Sequence, residues 1–380
     1  MHDSKKKNLL VVTDYFYPHW TGFSKSMCNM TRFLKGEFDI TVLTVRYEKN
    51  LKLWERIFSV NIVRKPYIFT LSRSKYSISI IFEFFSIVNN YDVIFINSPC
   101  SNILFFAILT KLFKKKLLVF HQGDIVLPKS FANRLIEKIF DILSIISFSI
   151  ADKVSTYTTD YAKNSRVLKP FLFKFSPLLM PIYLPGSTRL TRTLRKVRAF
   201  KEKGNILFGF AGRFVEEKGF DILFDAIPLI IRELPNVHFV FAGAIQMGYE
   251  DFFQKNKNKF EKVKDFVTIL GLLDDSELAG FYKLIDFILV SSRSDCFPLV
   301  QAEAMFLGKP SIVSNIPGAR ALVKETGFGL IFEKENPADL ARAILKAVEN
   351  REMLLKNYRK VVHILNTTKN VKKIREFIEN

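Results

Sequence analysis

Short apolar runs alternate with longer amphipathic stretches along most of this chain. Runs such as 8–13 and 117–120 have the length and continuous hydrophobicity of strands that are buried on both faces of a parallel sheet. The stretches 78–88 and 103–113 repeat apolar residues at helical spacing. This regular succession of strands and helices predicts a doubly wound α/β fold.

The same alternation resumes after the middle of the chain, where runs such as 206–211 and 287–290 predict further buried strands. A chain of 380 residues usually forms two domains. Residues 176–186 are rich in proline, and residues 187–203 are basic and polar without a core pattern, so a linker is expected here. The predicted divisions are a first domain 1–180, a linker 181–204, a second domain 205–350 and terminal helices 351–380.

Composition places the chain among folded proteins, with 48% hydrophobic and 25% charged residues. Its three cysteines are widely spaced and form no CxxC pair, which favours a reducing compartment and no metal centre. No secretion signal is visible, and the apolar runs are shorter than the roughly 20 residues of a membrane-spanning helix. We therefore expect a cytoplasmic protein.

The positive charge is concentrated in the first half. Residues 1–190 carry 27 Lys and Arg against 13 Asp and Glu, a net charge of +14 out of +20 for the whole chain. Such a surface suits a polyanionic partner, which would be anionic lipid, nucleic acid or a phosphorylated substrate. Scattered, solvated lysines are the alternative interpretation.

Residues 131–150 are expected to form a long helix with one apolar stripe. The stripe has two interpretations: it faces the core of the domain, or it lies on a membrane surface beside Lys111 and the lysines 114–116. The second interpretation predicts peripheral attachment to an anionic membrane. The stripe consists of Phe131, Leu135, Ile136, Ile139, Leu143, Ile146 and Ile150.

Two carboxylates lie in the stretch 295–310, which follows the predicted strand 287–290. Asp295 is in a polar loop, and Pro298 suits the first turn of the helix that follows. Glu303 lies inside that helix, and Gly308 ends it. A helix N-terminus favours phosphate, and a carboxylate can accept both ribose hydroxyls, so this unit suits a nucleotide sugar.

The spacing of Asp295 and Glu303 resembles the Glu-x7-Glu signature of retaining glycosyltransferases of family 4, which have the GT-B fold. Asp295 replaces the first Glu, and Glu303 matches the second. The resemblance implies two Rossmann-like domains that face a central cleft. It also implies transfer of a hexose-type sugar from a nucleoside diphosphate sugar to a glycan or lipid-linked acceptor, in cell-surface polysaccharide or glycolipid synthesis.

A second motif strengthens the resemblance. Gly212-Arg213 and Lys218-Gly219 follow the predicted strand 206–211 and match the pattern with which the family binds the donor diphosphate. Arginine can bind phosphate through two hydrogen bonds, and lysine supplies a compact charge. The chain contains no Asp-x-Asp sequence, so the resemblance implies transfer without a metal or a further cofactor.

The first domain contributes candidates at the ends of its predicted strands. Gly22 lies in the loop after the first strand, with Ser24 or Ser26 as candidate helix caps, and His121 and Asp124 follow the strand 117–120. The resemblance implies catalytic roles for Asp295, His121, Arg213 and Lys218, and acceptor binding by His19 and Asp124. The implied donor-binding residues are Gly22, Gly212, Arg213, Lys218, Phe297, Pro298, Leu299, Val300 and Glu303.

Two other functions remain open at this point. A different GT-B enzyme, such as a sugar-nucleotide epimerase or a phosphorylase, would share the fold, but the combination of motifs argues against it. A non-enzymatic basic protein that binds membrane or nucleic acid would explain the charge. The chain has no recognisable nucleic-acid motif, so nucleic acid is not an expected partner.

Overall fold

The computed structural model of the protein describes residues 6–71, 74–128, 130–186, 188–189, 191–246 and 250–380. The chain forms two compact units. The first contains Met1–Pro181 together with Thr367–Asn380, and the second contains Ile182–Asn366. Each unit is built on its own parallel sheet with helices on both sides, as the strand–helix alternation predicts.

Strands of the first unit form an eight-stranded sheet and a separate antiparallel pair. Those of the sheet are β1 (Lys7–Thr13), β2 (Phe38–Arg46), β3 (Trp54–Ile57), β4 (Val60–Pro66), β7 (Val93–Ser98), β8 (Lys116–His121), β9 (Lys153–Thr156) and β10 (Phe175–Pro177), and those of the pair are β5 (Phe69–Leu71) and β6 (Ser74–Tyr76). The order in the sheet is β10-β9-β8-β7-β1-β2-β4-β3, and only the β3–β4 pairing is antiparallel. The chain reverses direction across the sheet between β1 and β7, so the strand ends there form a topological switch point.

Helices α2 (Ser79–Ile87), α3 (Ile103–Leu112) and α4 (Phe131–Ile150) pack over one apolar core of the first unit. Helix α3 contacts both α2 and α4, so the three helices form one layer. We call this layer, with its outward-facing side chains, the helical layer. Helices α1 (Gly22–Leu34) and α5 (Thr159–Asn164) are the other α-helices in the described part of residues 6–181.

Helix α4 has the predicted bounds, and its apolar stripe is divided between the surface and the core. Phe131 is 87% exposed and Leu135 is 52% exposed, and Ile139 and Ile146 are exposed as well. Leu143 and Ile150 are half-buried and pack against the core of the unit. The fully buried positions of the helix are Phe140, Ser144, Ser147 and Phe148. The core-facing interpretation is therefore confirmed for Leu143 and Ile150 and wrong for the four exposed residues of the stripe.

The second unit contains a six-stranded sheet that is parallel throughout, in the order β13-β12-β11-β14-β15-β16. The switch point lies between β11 and β14, where the two halves of the sheet meet. The strands are β11 (Ile206–Ala211), β12 (Val237–Ala242), β13 (Val267–Gly271), β14 (Phe287–Val290), β15 (Ser311–Ser314) and β16 (Gly329–Phe332).

The helices of this unit begin within the stretch 181–204, where a helix buries Leu194 and Val197. The sequence pattern does not reveal this helix, because its other residues are almost all polar or basic. The helices are α6 (Arg192–Glu202), α7 (Phe220–Glu233), α8 (Phe252–Lys255), α9 (Lys257–Glu261), α10 (Asp275–Leu284), α11 (Leu299–Phe306), α12 (Pro317–Thr326), α13 (Pro337–Glu349), α14 (Arg351–Lys356) and α15 (Tyr358–Ile364).

The final helix, α16 (Thr367–Glu379), belongs to the first unit, whereas α14 and α15 belong to the second. Helix α16 packs against α1 and buries Ile374, Phe377 and Ile378. The ammonium of Lys116 donates a hydrogen bond to the carbonyl of Ile378 at 2.9 Å. Among the residues that the structure describes, none of the helices combines the length and the hydrophobicity needed to cross a bilayer.

Candidate active site

Two loops meet at the switch point of the second sheet, and they carry most of the predicted site. The first loop follows β11 and contains Gly212, Arg213 and Lys218, and the second follows β14 and contains Asp295. Because β11 and β14 are paired neighbours, their carboxyl ends bring these two loops together. The sequence motifs that lie about eighty residues apart thus become one surface.

An ion pair joins the two loops at their centre. The Lys218 ammonium lies 2.6 Å from a carboxylate oxygen of Asp295 and 3.3 Å from one of Glu217. Burial disfavours the ammonium charge, but the Asp295 and Glu217 carboxylates outweigh this and raise the pKa of Lys218. The side chains of Lys218 and Asp295 are 19% and 13% exposed, so solvent reaches the pair.

Backbone contacts fix the register of the two loops. Gly219 has a φ of +64°, and a Cβ at this position would lie 2.2 Å from the carbonyl oxygen of Ser291. The Ser291 hydroxyl donates to the carbonyl of Lys218 at 3.0 Å. Only glycine allows this close approach, and it places the Lys218 side chain against the second loop.

Arg293 reinforces the same junction, and sequence reasoning missed it. Its guanidinium donates two hydrogen bonds to the carboxylate of Asp221, both at 2.8 Å, and one to Glu335 at 2.8 Å. It also donates to the carbonyl of Glu216 at 2.7 Å. Sequence spacing could not reveal these partners, which come from distant parts of the chain. Arg293 therefore holds the loop of Asp295 against the start of α7.

Arg213 and the start of α11 complete the site. Arg213 lies in the same loop as Lys218, and its like charge is among the influences that lower the pKa of Lys218. Helix α11 begins directly after Pro298, which occupies the N-cap position. Phe297 is buried, and Leu299 and Val300 in the first turn are half-buried. The N–H groups of this first helical turn lie at the same switch point as the two cations.

Glu303 lies inside α11 and is nearly enclosed. Its carboxylate accepts a hydrogen bond from the hydroxyl of Tyr282 at 2.9 Å. Burial and then the neighbouring Glu303 charge raise the pKa of Tyr282, so this hydroxyl stays a donor. The structure therefore places Glu303 on the same helix as the loop of Asp295, with one of its oxygens held by Tyr282.

The first-unit candidates at the end of β8 are bonded to each other. His121 is 2% exposed, and its ring contacts the Ser98 hydroxyl at 3.1 Å and Asp124 at 3.0 Å. Asp124 also accepts from the Ser165 hydroxyl at 2.6 Å and from the backbone N–H of Arg166 at 2.8 Å. Burial alone would raise the pKa of Asp124, but the hydrogen bonds from His121, Ser165 and Arg166 lower it to about 2. Both ring nitrogens of His121 are thus engaged within the unit.

Gln122 organises the neighbouring strand ends, and sequence reasoning missed it as well. Its amide oxygen accepts from the hydroxyls of Ser26 at 2.9 Å and Tyr157 at 2.8 Å. Its amide nitrogen donates to Asn97 at 2.7 Å and to the carbonyl of Phe23 at 2.8 Å. This network connects the end of β8 to the beginning of α1.

The loop before α1 has a different cap from the predicted one. Thr21 occupies the N-cap position, and Gly22 is the first residue of the helix. Ser24 lies inside the first turn, where its hydroxyl accepts from the N–H of Thr21 at 3.1 Å. Ser24 therefore takes part in the cap as the third helical residue of a capping box with Thr21, whereas neither Ser24 nor Ser26 occupies the N-cap position. His19 stacks on Tyr15 with ring centroids 4.4 Å apart.

Among the residues that the structure describes, no group of three or more His, Cys, Asp or Glu side chains converges as a metal site would require. Cys28 and Cys100 are buried, and Cys296 is half-buried beside Asp295.

Sequence comparison finds similarity to glycosyltransferases over the second half of the chain. Residues 191–361 match the family model "Glycosyl transferases group 1". The chain is 35% identical over 152 residues to an uncharacterized glycosyltransferase, MJ1178, of Methanocaldococcus jannaschii, which covers 40% of this chain and 41% of that protein. It is 32% identical over 146 residues to the O-antigen biosynthesis glycosyltransferase WclY of Escherichia coli, covering 38% of each. The matches span about two fifths of these relatives.

Structural comparison covers both units. The crystal structure of Anabaena Alr3699/HepE in complex with UDP and glucose matches with a TM-score of 0.74 at 14% identity, covering 98% of this chain and 100% of that one. Another structure of the same protein, with UDP, matches with a TM-score of 0.76 at 16% identity. The protein therefore has the GT-B fold of these glycosyltransferases, as the sequence predicts.

Proposed function

We propose that this protein is a retaining, metal-independent glycosyltransferase. It transfers a hexose-type sugar from a nucleoside diphosphate sugar to a glycan or lipid-linked acceptor in cell-surface polysaccharide or glycolipid synthesis. The observation that carries the proposal is the Lys218–Asp295 ion pair, which lies with Arg213 and the start of α11 at the switch point of the second sheet. The similarity to HepE, which was crystallised with UDP and UDP-glucose, supports a nucleotide sugar as donor.

The chemistry follows from the charges at this point. Departure of the nucleoside diphosphate builds negative charge on the phosphate and positive character on the sugar carbon. The cations of Arg213 and Lys218 stabilise the departing phosphate in place of a metal ion. The Asp295 carboxylate, which already holds the Lys218 ammonium, contacts hydroxyls of the donor sugar.

The other residues bind and orient the donor. Glu303 accepts hydrogen bonds from the ribose hydroxyls. The backbone at Phe297, Pro298, Leu299 and Val300, with the N–H groups that begin α11, faces the diphosphate. In a front-face attack, the departing phosphate takes the proton of the attacking acceptor hydroxyl. The reaction therefore needs no side-chain base. In the first unit, Gly22 lets backbone approach the donor, and His19, His121 and Asp124 are assigned to the sugar and its acceptor.

A thermal-shift panel of UDP-, GDP- and ADP-sugars tests the donor assignment. At a hundred times its dissociation constant, a ligand of the native state adds about 2.7 kcal/mol. For a chain of 380 residues this raises the melting temperature by about 3–4 °C. The donor that gives the shift is then incubated with candidate glycan acceptors, and release of nucleoside diphosphate is measured.

Acceptor-dependent release with a retained anomeric configuration, observed by NMR, would support the transferase. Release that requires no acceptor would instead indicate an epimerase or a hydrolase. The Lys255→Ala variant is the matched control, because Lys255 is an exposed lysine of the same unit that lies outside the switch point. A protein that binds none of the nucleotide sugars would contradict the proposal.

A further inference from the structure

The helical layer of the first unit exposes large apolar side chains on all three of its helices. On α2, Phe82 is 71% exposed, and on α3, Leu112 is 70% exposed. Phe85 and Phe105 are more than half exposed, as is Ile142 on α4. Because α3 packs against both α2 and α4, these side chains belong to one continuous face. Contiguous exposed apolar surface on this scale marks an interaction site.

The acidic side chains of the layer are already occupied. Glu83 pairs with Lys65 at 2.6 Å, and Asp141 pairs with Arg166 at 2.7 Å. Glu137 accepts from the backbone N–H of Leu127 at 2.6 Å. The charges of Glu83 and Asp141 are therefore compensated within the unit, and the Glu137 carboxylate is held by the backbone.

Exposed cations remain among the apolar side chains. Arg134 and Lys138 are exposed on α4, on the same side as Leu135 and Ile142, and Lys114 is exposed directly after the end of α3. Lys111 and Lys116 differ from them, because Lys111 pairs with Asp152 at 2.5 Å and Lys116 donates to Ile378. The exposed side chains of the helical layer are thus apolar and basic together, and the surrounding first half has a charge of +14.

We propose that the helical layer is a docking surface for an anionic lipid bilayer. Aromatic and aliphatic side chains enter the boundary between head groups and acyl chains, while Lys114, Arg134 and Lys138 contact the lipid phosphates. A mixed apolar and basic face matches a bilayer, whose surface is anionic and whose interior is apolar. A protein partner would need a complementary shape and acidic side chains, whereas a bilayer adapts to the side chains that it meets.

This proposal refines the earlier interpretation of the lysines 114–116. Three residues along that run differ in the structure: Lys114 is exposed, Lys115 donates to the carbonyl of Asn89 at 2.8 Å, and Lys116 is tied to α16. The lipid contact is therefore assigned to Lys114 with Arg134 and Lys138, rather than to the three consecutive lysines.

Co-sedimentation with vesicles tests the docking surface. The full chain is mixed, without any nucleotide sugar, with phosphatidylcholine vesicles and with vesicles of phosphatidylcholine and phosphatidylglycerol in equal parts. We expect sedimentation with the anionic vesicles at about 0.1 M salt and a strong reduction at about 1 M salt, where the Debye length falls from about 10 Å to about 3 Å. Binding that does not depend on phosphatidylglycerol would overturn the proposal, as would a protein that stays in the supernatant.

Two variants locate the surface. Changing Lys114, Arg134 and Lys138 together to Gln should weaken partitioning about a hundredfold, since each charge contributes about a fivefold change. Changing Phe82, Phe105 and Ile142 together to Ser should weaken it at least about tenfold. Two variants of exposed residues in the second unit serve as matched controls. One changes Lys255, Lys257 and Lys356 to Gln, and the other changes Leu272 and Met353 to Ser.

An equal loss of vesicle binding in the test and control variants would overturn the assignment to the helical layer. Light scattering measures the oligomeric state and so tests the alternative occupant of the surface, a second copy of the chain. A protein that is a dimer as wild type and a monomer as the Phe82, Phe105 and Ile142 variant uses this face for self-association, and that outcome contradicts the proposal. All variants change exposed side chains, and their circular dichroism melting curves show whether they are folded. Because the assay contains no donor, its result is independent of the transferase assignment.

Discussion

The strand ends of the two units are organised differently. In the second unit, Lys218 and Asp295 form an ion pair that solvent reaches, and Arg213 lies near it. In the first unit, His121 and Gln122 are buried and fully engaged with neighbouring side chains. Although mostly buried, this pair is reached by solvent, so it can exchange one partner for a charged ligand that compensates the charge of the other. A buried network cannot do so, because each lost partner leaves an unsatisfied group.

This difference predicts that substitution of Lys218 affects transfer, whereas substitution of Gln122 affects stability. Four experiments can sharpen or contradict the comparison.

The largest effect is expected from Lys218→Ala. Removing one preorganised charge donor should lower the transfer rate about 10²–10³-fold. Steady-state kinetics beside the Lys255→Ala control would measure it. Near-normal rates in the folded variant would show that the ion pair is structural.

The opposite behaviour is expected from Gln122→Leu. The variant removes four hydrogen bonds within the first unit and leaves buried groups without partners, which should cost about 3 kcal/mol of unfolding free energy. Urea denaturation would measure this, with the exposed Gln254→Leu as control. Nucleotide binding by the folded variant should not change, and a large loss of affinity would contradict the separation of roles.

Acid should destabilise the second unit before the first. Burial lowers the pKa of His238 to about 4, so between pH 6.5 and 4 the unfolded chain binds a proton that the folded unit does not. Lowering the pH from 7 to 5 should therefore cost about 2 kcal/mol. The pKa of Asp124 lies at about 2, so its contribution is lost only between pH 3.8 and 2.

Hydrogen exchange at pH 7 and pH 5 can resolve the two units, with His238→Gln as the variant that lacks the titrating group. The variant retains a polar side chain that can bond to Thr268, the partner of His238 at 2.8 Å. An identical pH dependence in wild type and variant would exclude His238 as the cause.

The smallest effect is expected from Glu303→Gln. The neutral amide keeps its place beside Tyr282 but forms weaker hydrogen bonds to ribose, so UDP or GDP should bind about tenfold more weakly. Calorimetry with the sugar-free nucleotides would measure this, with the exposed Glu349→Gln as control. Equal affinity in wild type and variant would assign Glu303 to the structure of α11 alone.

The sequence predicts the central strands of both sheets because they are buried on both faces and hence continuously apolar. It fails at the edge of the first sheet, where β3 is short and Trp54 is 63% exposed. It also cannot orient α4, because an apolar stripe has the same periodicity whether it faces a core or the surface. Helix α6 escapes prediction because only two of its residues are buried.

Only some residues of the candidate site could be predicted from the sequence. Lys218 and Asp295 could be found because each lies in a motif of recognisable spacing. Arg293 and Gln122 could not be found in this way, because their partners are distant in the sequence. Arg293 donates to Asp221, which lies 72 residues earlier, and Gln122 accepts from Ser26, which lies 96 residues earlier. Such contacts depend on which strands become neighbours. The motifs therefore show which chemistry is present, and the fold shows what holds it in position.

Helix α16 has a consequence for the order in which the protein is assembled on the ribosome. Helix α16 contacts helix α1, Lys116 and Lys153, and all of these are translated before the second unit. The residues that cover them, 367–380, are translated only after the whole second unit. The first unit is thus completed only after the second unit has been translated. Its open edge beside α1 must stay free of wrong partners while nearly two hundred residues emerge.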